Sequence, residues 1–233
     1  MGFLNEYDIR YFESIDSTHS FCRTISAGNV VVYAGEQTAG YGKRMRPWLS
    51  PYGNLYVSIA ADFNIATSDL NFFSLFVCCA VRDFLTHYIS SEDDLKLHWP
   101  NDVYLNGKKL SGMLLEIPSH SRCIISVGVN TTVLPRDNKN SFASLNIVKD
   151  KQELVQELIF EIRKWYNKFI TNRDNVVDYW RKWIYVSSDE VTISYGDSKI
   201  VGFINGVSDN GSLLVKVANG DIKSFVSGDV FSV

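Results

Sequence analysis

The apolar positions along this chain change their period several times, and each change marks an element. Tyr11, Phe12 and Ile15 give a short strand-like opening. Asp16-Ser17-Thr18-His19-Ser20 follows, where Asp16 or Ser17 can cap a short helix over residues 18–26. The alternative use of Ser17 and Thr18 is to turn their hydroxyls toward a polar ligand edge. Val30–Ala34 is a short β-branched run that reads as a buried strand, and Asn54–Ala61 reads as the next. Ser68–Tyr88 is apolar over much of a helical circumference, with Ser68 and Asp69 as start signals.

Leu95–Leu97 and Val103–Leu105 are strand-like, and Asn106-Gly107 is a strong two-residue hairpin signal. The return strand runs from Lys108 to Ile117. Gly112 interrupts it, which marks a bulge or a close approach. Cys123–Val129 is a further strand, and residues 131–149 read as loop. Asp150 can cap a helix whose stripe is Leu154, Leu158, Ile162, Trp165 and Phe169, and a second helical piece runs from about Asn175 to Trp183. From Ser187 onward short alternating runs are separated by glycine-bearing turns, the last at Gly228-Asp229. That pattern predicts a small all-β module, with a boundary near residues 184–188.

Residues 36–58 break every period. Gly40, Gly42 and Gly53 free the backbone, Lys43, Arg44 and Arg46 gather three cations, Pro47 and Pro51 exclude a helix interior, and Trp48 stands among charges. A glycine-bearing cationic loop that joins two core strands is suited to closing over a phosphate or a carboxylate. A solvated basic surface loop is the other reading. Lys109, on an otherwise apolar strand, is a second cation aimed at something specific, or a lysine that snorkels from a sheet edge.

Composition narrows the choice. The chain has 233 residues, 45% hydrophobic and 21% charged, with a formal net charge of −3. That is a globular composition without a general nucleic-acid footprint. Local positive charge in a mildly acidic chain points to a small anionic ligand. The four cysteines form no CxxC pair, so neither a disulfide framework nor a zinc site is expected. The N-terminus has no secretory pattern and no apolar run is long enough to span a bilayer, so the cytoplasm and no membrane partner are expected. No DNA partner is expected either, because the opening residues are too few for a helix-turn-helix domain.

Gln37, Gly40-x-Gly42-Lys43-Arg44-x-Arg46-x-Trp48-x-Ser50-Pro51-x-Gly53-Asn54 resembles the glycine–arginine loop of biotin–protein ligases. Trp99-Pro100-Asn101-Asp102, with Lys109, Gly112, Leu114 and Glu116 beyond it, is similar to the family's second signature. Ser17-Thr18, Gly128-Val129-Asn130, Phe142-Ala143-Ser144-Leu145 and the C-terminal module also fit, in family order. The resemblance covers nearly the whole chain.

It implies an α+β fold: a mixed sheet packed with helices, like the catalytic domain of class II synthetases and biotin–lipoate ligases, followed by an SH3-like β-barrel. The domains would be residues 1–185 and 186–233. It implies a short-form ATP-dependent ligase that makes biotinyl-5′-adenylate and pyrophosphate, then passes the acyl group to a lysine of a biotin carboxyl carrier protein. ATP and biotin are its substrates, Mg²⁺ enters with the phosphates, and no metal ligand is assigned to the protein. A homodimer is compatible with the family.

Carried over by motif, Lys109 and Asp102 would be catalytic. Ser17, Thr18, His19, Gln37, Tyr41, Gly42, Lys43, Lys109 and Gly112 would surround biotin. Lys43, Arg44, Arg46, Trp48, Asn101 and Asn130 would serve ATP and the adenylate. The chain departs from the family at five places: His19 for asparagine, Tyr41 and Lys43 for arginine, Met45 for glycine and His98 for lysine. Lysine cannot make the two-pronged phosphate contact of arginine, so Lys43 implies a weaker hold on the adenylate. Three other readings stand beside this one: a lipoate or octanoate ligase on the same scaffold, a biotin-sensing repressor, and a non-catalytic biotin-binding module.

Overall fold

The structure is a computed structural model and describes residues 6–63, 69–90, 92–118, 122–132, 141–196 and 198–232. The elements in chain order are β1 (Asp8–Ile15), α1 (Thr18–Arg23), β2 (Val30–Gln37), β3 (Leu55–Asp62), α2 (Leu70–Thr86), β4 (Leu95–His98), β5 (Asp102–Leu105), β6 (Lys108–Glu116) and β7 (Arg122–Val129). They continue with α3 (Lys151–Thr171), α4 (Asp174–Trp183), β8 (Val191–Tyr195), β9 (Ser198–Val207), β10 (Leu213–Lys216), β11 (Ile222–Phe225) and β12 (Asp229–Ser232).

The strong periodic segments fold as read. Ser17 is the N-cap of α1 and accepts from the Ser20 amide at 3.3 Å; Asp150 caps α3 through the Glu153 amide at 3.0 Å. Asn106 and Gly107 both take positive φ, 51° and 75°, as a two-residue hairpin of this kind requires. α1 is shorter than expected and ends at Arg23. The Ser68 start signal and part of the 131–149 loop lie outside the described residues.

β1 to β7 form a seven-stranded sheet in the order β1-β2-β3-β7-β6-β5-β4. β1 and β2 are parallel and the other pairs antiparallel, so the sheet is mixed. Period-2 alternation gives its faces different jobs. Leu55, Val57, Ile59, Ile125, Val127 and Val129 face α2, α3 and α4 in the main core. On the opposite face Tyr56 and Ser58 of β3 pair with Gly128 and Ser126 of β7, which pair in turn with Gly112 and Leu114 of β6. Apart from Leu114 those residues are small or polar, so this face is left hollow where α1 does not cover it. α1 closes its outer part with Cys22 against Val30, Val32, Ala60 and Ile124.

The register shifts between Val103 and Tyr104, which pair with Ser111 and Lys109 and leave Leu110 unmatched. That bulge decides the side of Lys109. Without it, Lys109 would alternate onto the face opposite Gly112. With it, Lys109 shares the hollow face with Asp102, Tyr104 and Gly112. The signal read at Gly112 is therefore divided: the bulge sits at Leu110, and Gly112 is a close approach.

The second sheet has five antiparallel strands in the order β11-β10-β9-β8-β12. Sequence reading found four of them; Gly228-Asp229, read as a turn, instead leads into the fifth, which pairs with β8. This module is fastened to the large sheet. Trp99 Nε1 donates to the Gly211 carbonyl at 3.3 Å, Arg181 pairs with Asp209, and the Tyr185 amide donates to the Leu97 carbonyl at 2.7 Å. Val191, Ile193, Leu213 and Val215 join the same apolar cluster as α2 and α3. Among the described residues no helix is long and apolar enough to cross a membrane.

Candidate active site

The hollow face opens into a cavity of about 230 Å³. Its floor is polar, its middle flat and apolar, and its mouth cationic.

The floor is a hydrogen-bonded chain. Thr18 Oγ1 lies 2.8 Å from Ser58 Oγ, Ser58 Oγ lies 2.7 Å from Ser126 Oγ, and Ser126 Oγ lies 2.8 Å from His19 Nδ1. His19 Nε2 is 2.8 Å from Glu116 Oε2. Burial pulls the imidazole below its ordinary pKa, against the opposing pull of Glu116. A neutral His19 must donate to the carboxylate from Nε2, which leaves Nδ1 to accept from Ser126. Ser58 then donates to Ser126, and the Thr18 hydroxyl lies between Ser58 Oγ at 2.8 Å and the Gln37 side-chain carbonyl at 3.0 Å. The Gln37 side-chain carbonyl is held by the Thr18 amide at 2.9 Å, and its NH₂ donates to Ser50 Oγ at 2.9 Å. Ser17 Oγ accepts the α1 cap bond, and the residue also lines the cavity, so the cap and a hydroxyl turned to a ligand are compatible there.

The middle is built by two glycines. A Cβ on Gly112 would come within 3.1 Å of the Trp48 ring, and one on Gly128 within 2.7 Å. Only glycine lets the indole lie flat on the sheet there. Met113, Leu114, Val127 and Phe142 complete the apolar lining. Phe142 is brought in by a strand-like segment: Lys109 pairs with it, the Lys109 amide donates to the Ser141 carbonyl, and the Ala143 amide to the Lys109 carbonyl.

At the mouth Lys109 Nζ donates to Asp102 Oδ2 at 2.6 Å and sits 5.3 Å from the Trp48 ring centroid. Asp102 Oδ1 is buried and has no partner among the described residues. The glycine–arginine loop folds back over this end. Gln37 bridges to Ser50 and Tyr41 to Pro47, and the Trp48 amide donates to the Gly40 carbonyl at 2.9 Å. Gly40 is needed for that fold, since a Cβ there would meet Ser50 Oγ at 2.6 Å. The tip is a 3₁₀ turn over Lys43–Met45, in which Arg44 and Met45 take φ of 56° and 58°. Left-handed backbone at non-glycine residues costs on the order of 1–3 kcal/mol each. Met45 thus occupies a conformation that the family's glycine would adopt without strain. Burial pulls the Lys43 ammonium below its ordinary pKa, while Asp229 and Asp102 oppose it.

Most of the residues singled out from sequence meet in this cavity: Ser17, Thr18, His19, Gln37, Tyr41, Gly42, Lys43, Arg46, Trp48, Asn101, Asp102, Lys109 and Gly112 all line it. Two do not. Asn130 is buried behind the wall, where its NH₂ donates to the Ala143 carbonyl at 3.1 Å, so it positions the Phe142 segment rather than lining the cavity. Arg44 is exposed and turned to Asp229. Asn101 is tied by its NH₂ to the Met113 carbonyl at 2.6 Å. Sequence reasoning missed Ser58, Ser126 and Asp229. The two serines carried a signal, as the only serines on the alternate positions of two apolar strands; Asp229 carried none beyond its turn.

The Gly128 seat gives a double-mutant test. Gly128→Ala should destabilise the protein by about 1–3 kcal/mol through overpacking on Trp48. In a Trp48→Ala background the same change should cost little, because the nearest atoms to the added carbon all belong to that indole. Urea denaturation of the four proteins measures the coupling, and additive effects would contradict the seat.

With this geometry in hand, comparison with known proteins gives a consistent result. Residues 11–130 match the Biotin/lipoate A/B protein ligase family and residues 189–232 match the Biotin protein ligase C terminal domain. The chain is 26% identical over 245 residues to the bifunctional ligase/repressor BirA of Salmonella typhimurium, covering 97% of this chain and 75% of that protein. It is 28% identical over 201 residues to the biotin–[acetyl-CoA-carboxylase] ligase of Mycobacterium tuberculosis, covering 81% and 73%. A solved biotin protein ligase from Aquifex aeolicus, in complex with biotin and ATP, superposes with a TM-score of 0.81 at 26% identity, covering 96% of this chain and 97% of that one. The mixed sheet with its helices and the C-terminal antiparallel module are those of that structure, and the chain belongs to the Biotin/lipoate A/B protein ligase family.

Proposed function

We propose that this chain is a biotin–protein ligase, an enzyme that activates biotin with ATP and transfers it to a lysine of a carrier protein. The observation that carries the reading is the polarity gradient of one cavity: a donor–acceptor floor, a flat apolar middle and a cationic mouth. A bicyclic urea with an aliphatic tail and a terminal carboxylate has the same gradient. A lipoyl ring offers no amide edge to a floor of Thr18, Ser58, Ser126 and His19, so it would cover that polar surface without making a hydrogen bond to it.

In the first step the biotin carboxylate attacks the α-phosphate of ATP and pyrophosphate leaves. Oxygens of both reactants crowd together, and Lys109, held by Asp102, supplies positive charge between them. Lys43 and Arg46 line the same end and neutralise the phosphates. No protein nucleophile is needed, so catalysis rests on positioning and charge. Trp48 on its two glycines and the folded loop keep water from the mixed anhydride. In the second step the amine of the acceptor lysine attacks the acyl carbon and AMP leaves. Mg²⁺ would travel with the triphosphate as part of the substrate. The acceptor is a biotin carboxyl carrier domain.

Two measurements check this. Incubated with ATP and Mg²⁺, the protein should release pyrophosphate with biotin and not with lipoate or octanoate; release with lipoate alone, or with neither acid, contradicts the reading. Lys109→Ala should lower adenylate synthesis by about 10²-fold or more through loss of a preorganised charge. Separately, Lys43→Arg should slow release of the bound adenylate, followed by a chase with unlabelled biotin; faster or unchanged release would show that the fork adds no hold here.

A further inference from the structure

The C-terminal module places one carboxylate against the loop that serves the cavity. Asp229 is the first residue of β12, and its side chain is only 8% exposed. Arg46 Nη2 donates to its Oδ1 at 2.7 Å, Arg44 Nη1 lies 2.8 Å from Oδ2, and Lys43 Nζ lies 3.9 Å from Oδ1. Lys43 Nζ also donates to the Gly228 carbonyl at 3.2 Å. One buried anion thus gathers all three loop cations, and Asp229 and Val230 line the cavity with Lys43 and Arg46.

The placement is built. Gly228 has φ of 152°, and a Cβ there would sit 3.0 Å from the Ser194 carbonyl, so the chain can turn sharply into β12. β12 is locked to β8 from Asp229 opposite Ser194 to Ser232 opposite Val191. The module is in turn fixed to the rest of the protein through Trp99 to Gly211 and Arg181 to Asp209, so the carboxylate stands on rigid elements. The side it fixes is the strained one: the two left-handed residues at the loop tip, Arg44 and Met45, lie between the cations it holds. Such backbone persists only where its surroundings over-determine it.

We propose that Asp229 is a positioning residue, a latch through which the C-terminal module holds Lys43, Arg44 and Arg46 converged at the cavity mouth before any nucleotide arrives. The arriving phosphates meet cations already gathered, and take over part of the charge that Asp229 balances. The nucleotide half rests on the ligase reading; the latch itself does not. The latch sets the loop's conformation across a domain boundary, at 183–185 residues' separation from the cations it binds.

Limited trypsin digestion of the full-length protein, with no substrate present, reads the latch directly. The bonds after Lys43 and Arg44 are the reporters, since Pro47 protects the bond after Arg46. Asp229→Asn should speed cleavage at these bonds by roughly tenfold or more, because cleavage follows the population of the open loop. Asp229→Glu, which keeps the charge, should bring it back to within about threefold of the parent. Equal cleavage in the parent and Asp229→Asn overturns the latch. If circular dichroism shows that Asp229→Asn does not fold, the loop-side variant Arg44→Gln/Arg46→Gln decides: faster cleavage after Lys43 supports the latch, and an unchanged rate overturns it. In steady-state assays Asp229→Asn should raise KM for ATP about tenfold and leave KM for biotin within twofold. An unchanged KM for ATP beside faster cleavage overturns the nucleotide half alone. Absence of biotinyl-adenylate from the parent protein would overturn the ligase reading and leave the digestion result standing.

Discussion

Like charges crowded together are the constraint on which this structure turns. Four cations, Lys43, Arg44, Arg46 and Lys109, converge on one cavity mouth, and left alone they would repel one another and splay into solvent. Two carboxylates prevent it. Asp102 holds Lys109 from inside the large sheet, and Asp229 holds the other three from the second sheet. Asp229 has both oxygens engaged by the loop cations, whereas Asp102 keeps a buried oxygen unpaired among the described residues. A site arranged in this way has positive charge in place before a polyanion arrives, so reorganisation is small at the moment of reaction.

The apolar architecture serves that end. Helices α2, α3 and α4 bury one face of the seven-stranded sheet with ordinary β-branched and aromatic side chains. That leaves the other face free to carry glycine and serine at paired positions, Gly112 beside Gly128 and Ser58 beside Ser126. A cavity follows from the missing side chains, and its chemistry follows from which atoms remain. The bulge at Leu110 is the single irregularity that brings Lys109 to this face.

The sequence made the strands and helices legible wherever the period was sustained, and the caps at Ser17 and Asp150 announced themselves by residue type. The loop and the Trp-Pro-Asn-Asp hairpin were legible as chemistry because their cations, glycines and prolines have no structural reason to be there. Three features were not. The side on which Lys109 falls depends on a one-residue register shift that no propensity encodes. Asn130 is expected at the nucleotide from its motif, and the tie of its NH₂ to the Ala143 carbonyl, which holds the Phe142 segment, has no local pattern. Asp229 sits in a glycine-bearing pair that looks like any surface turn, and its partners lie more than 180 residues away in sequence. Long-range electrostatic pairing of this kind leaves no local pattern.

The most direct test of the central claim is a crystal structure with a non-hydrolysable biotinyl-adenylate analogue. The ureido ring should lie on the Thr18, Ser58 and Ser126 floor, and the phosphate linkage should sit within about 3 Å of the Lys109 ammonium, with Lys43 facing it from the loop. An analogue bound in the reverse sense, or seated outside this cavity, would contradict the account.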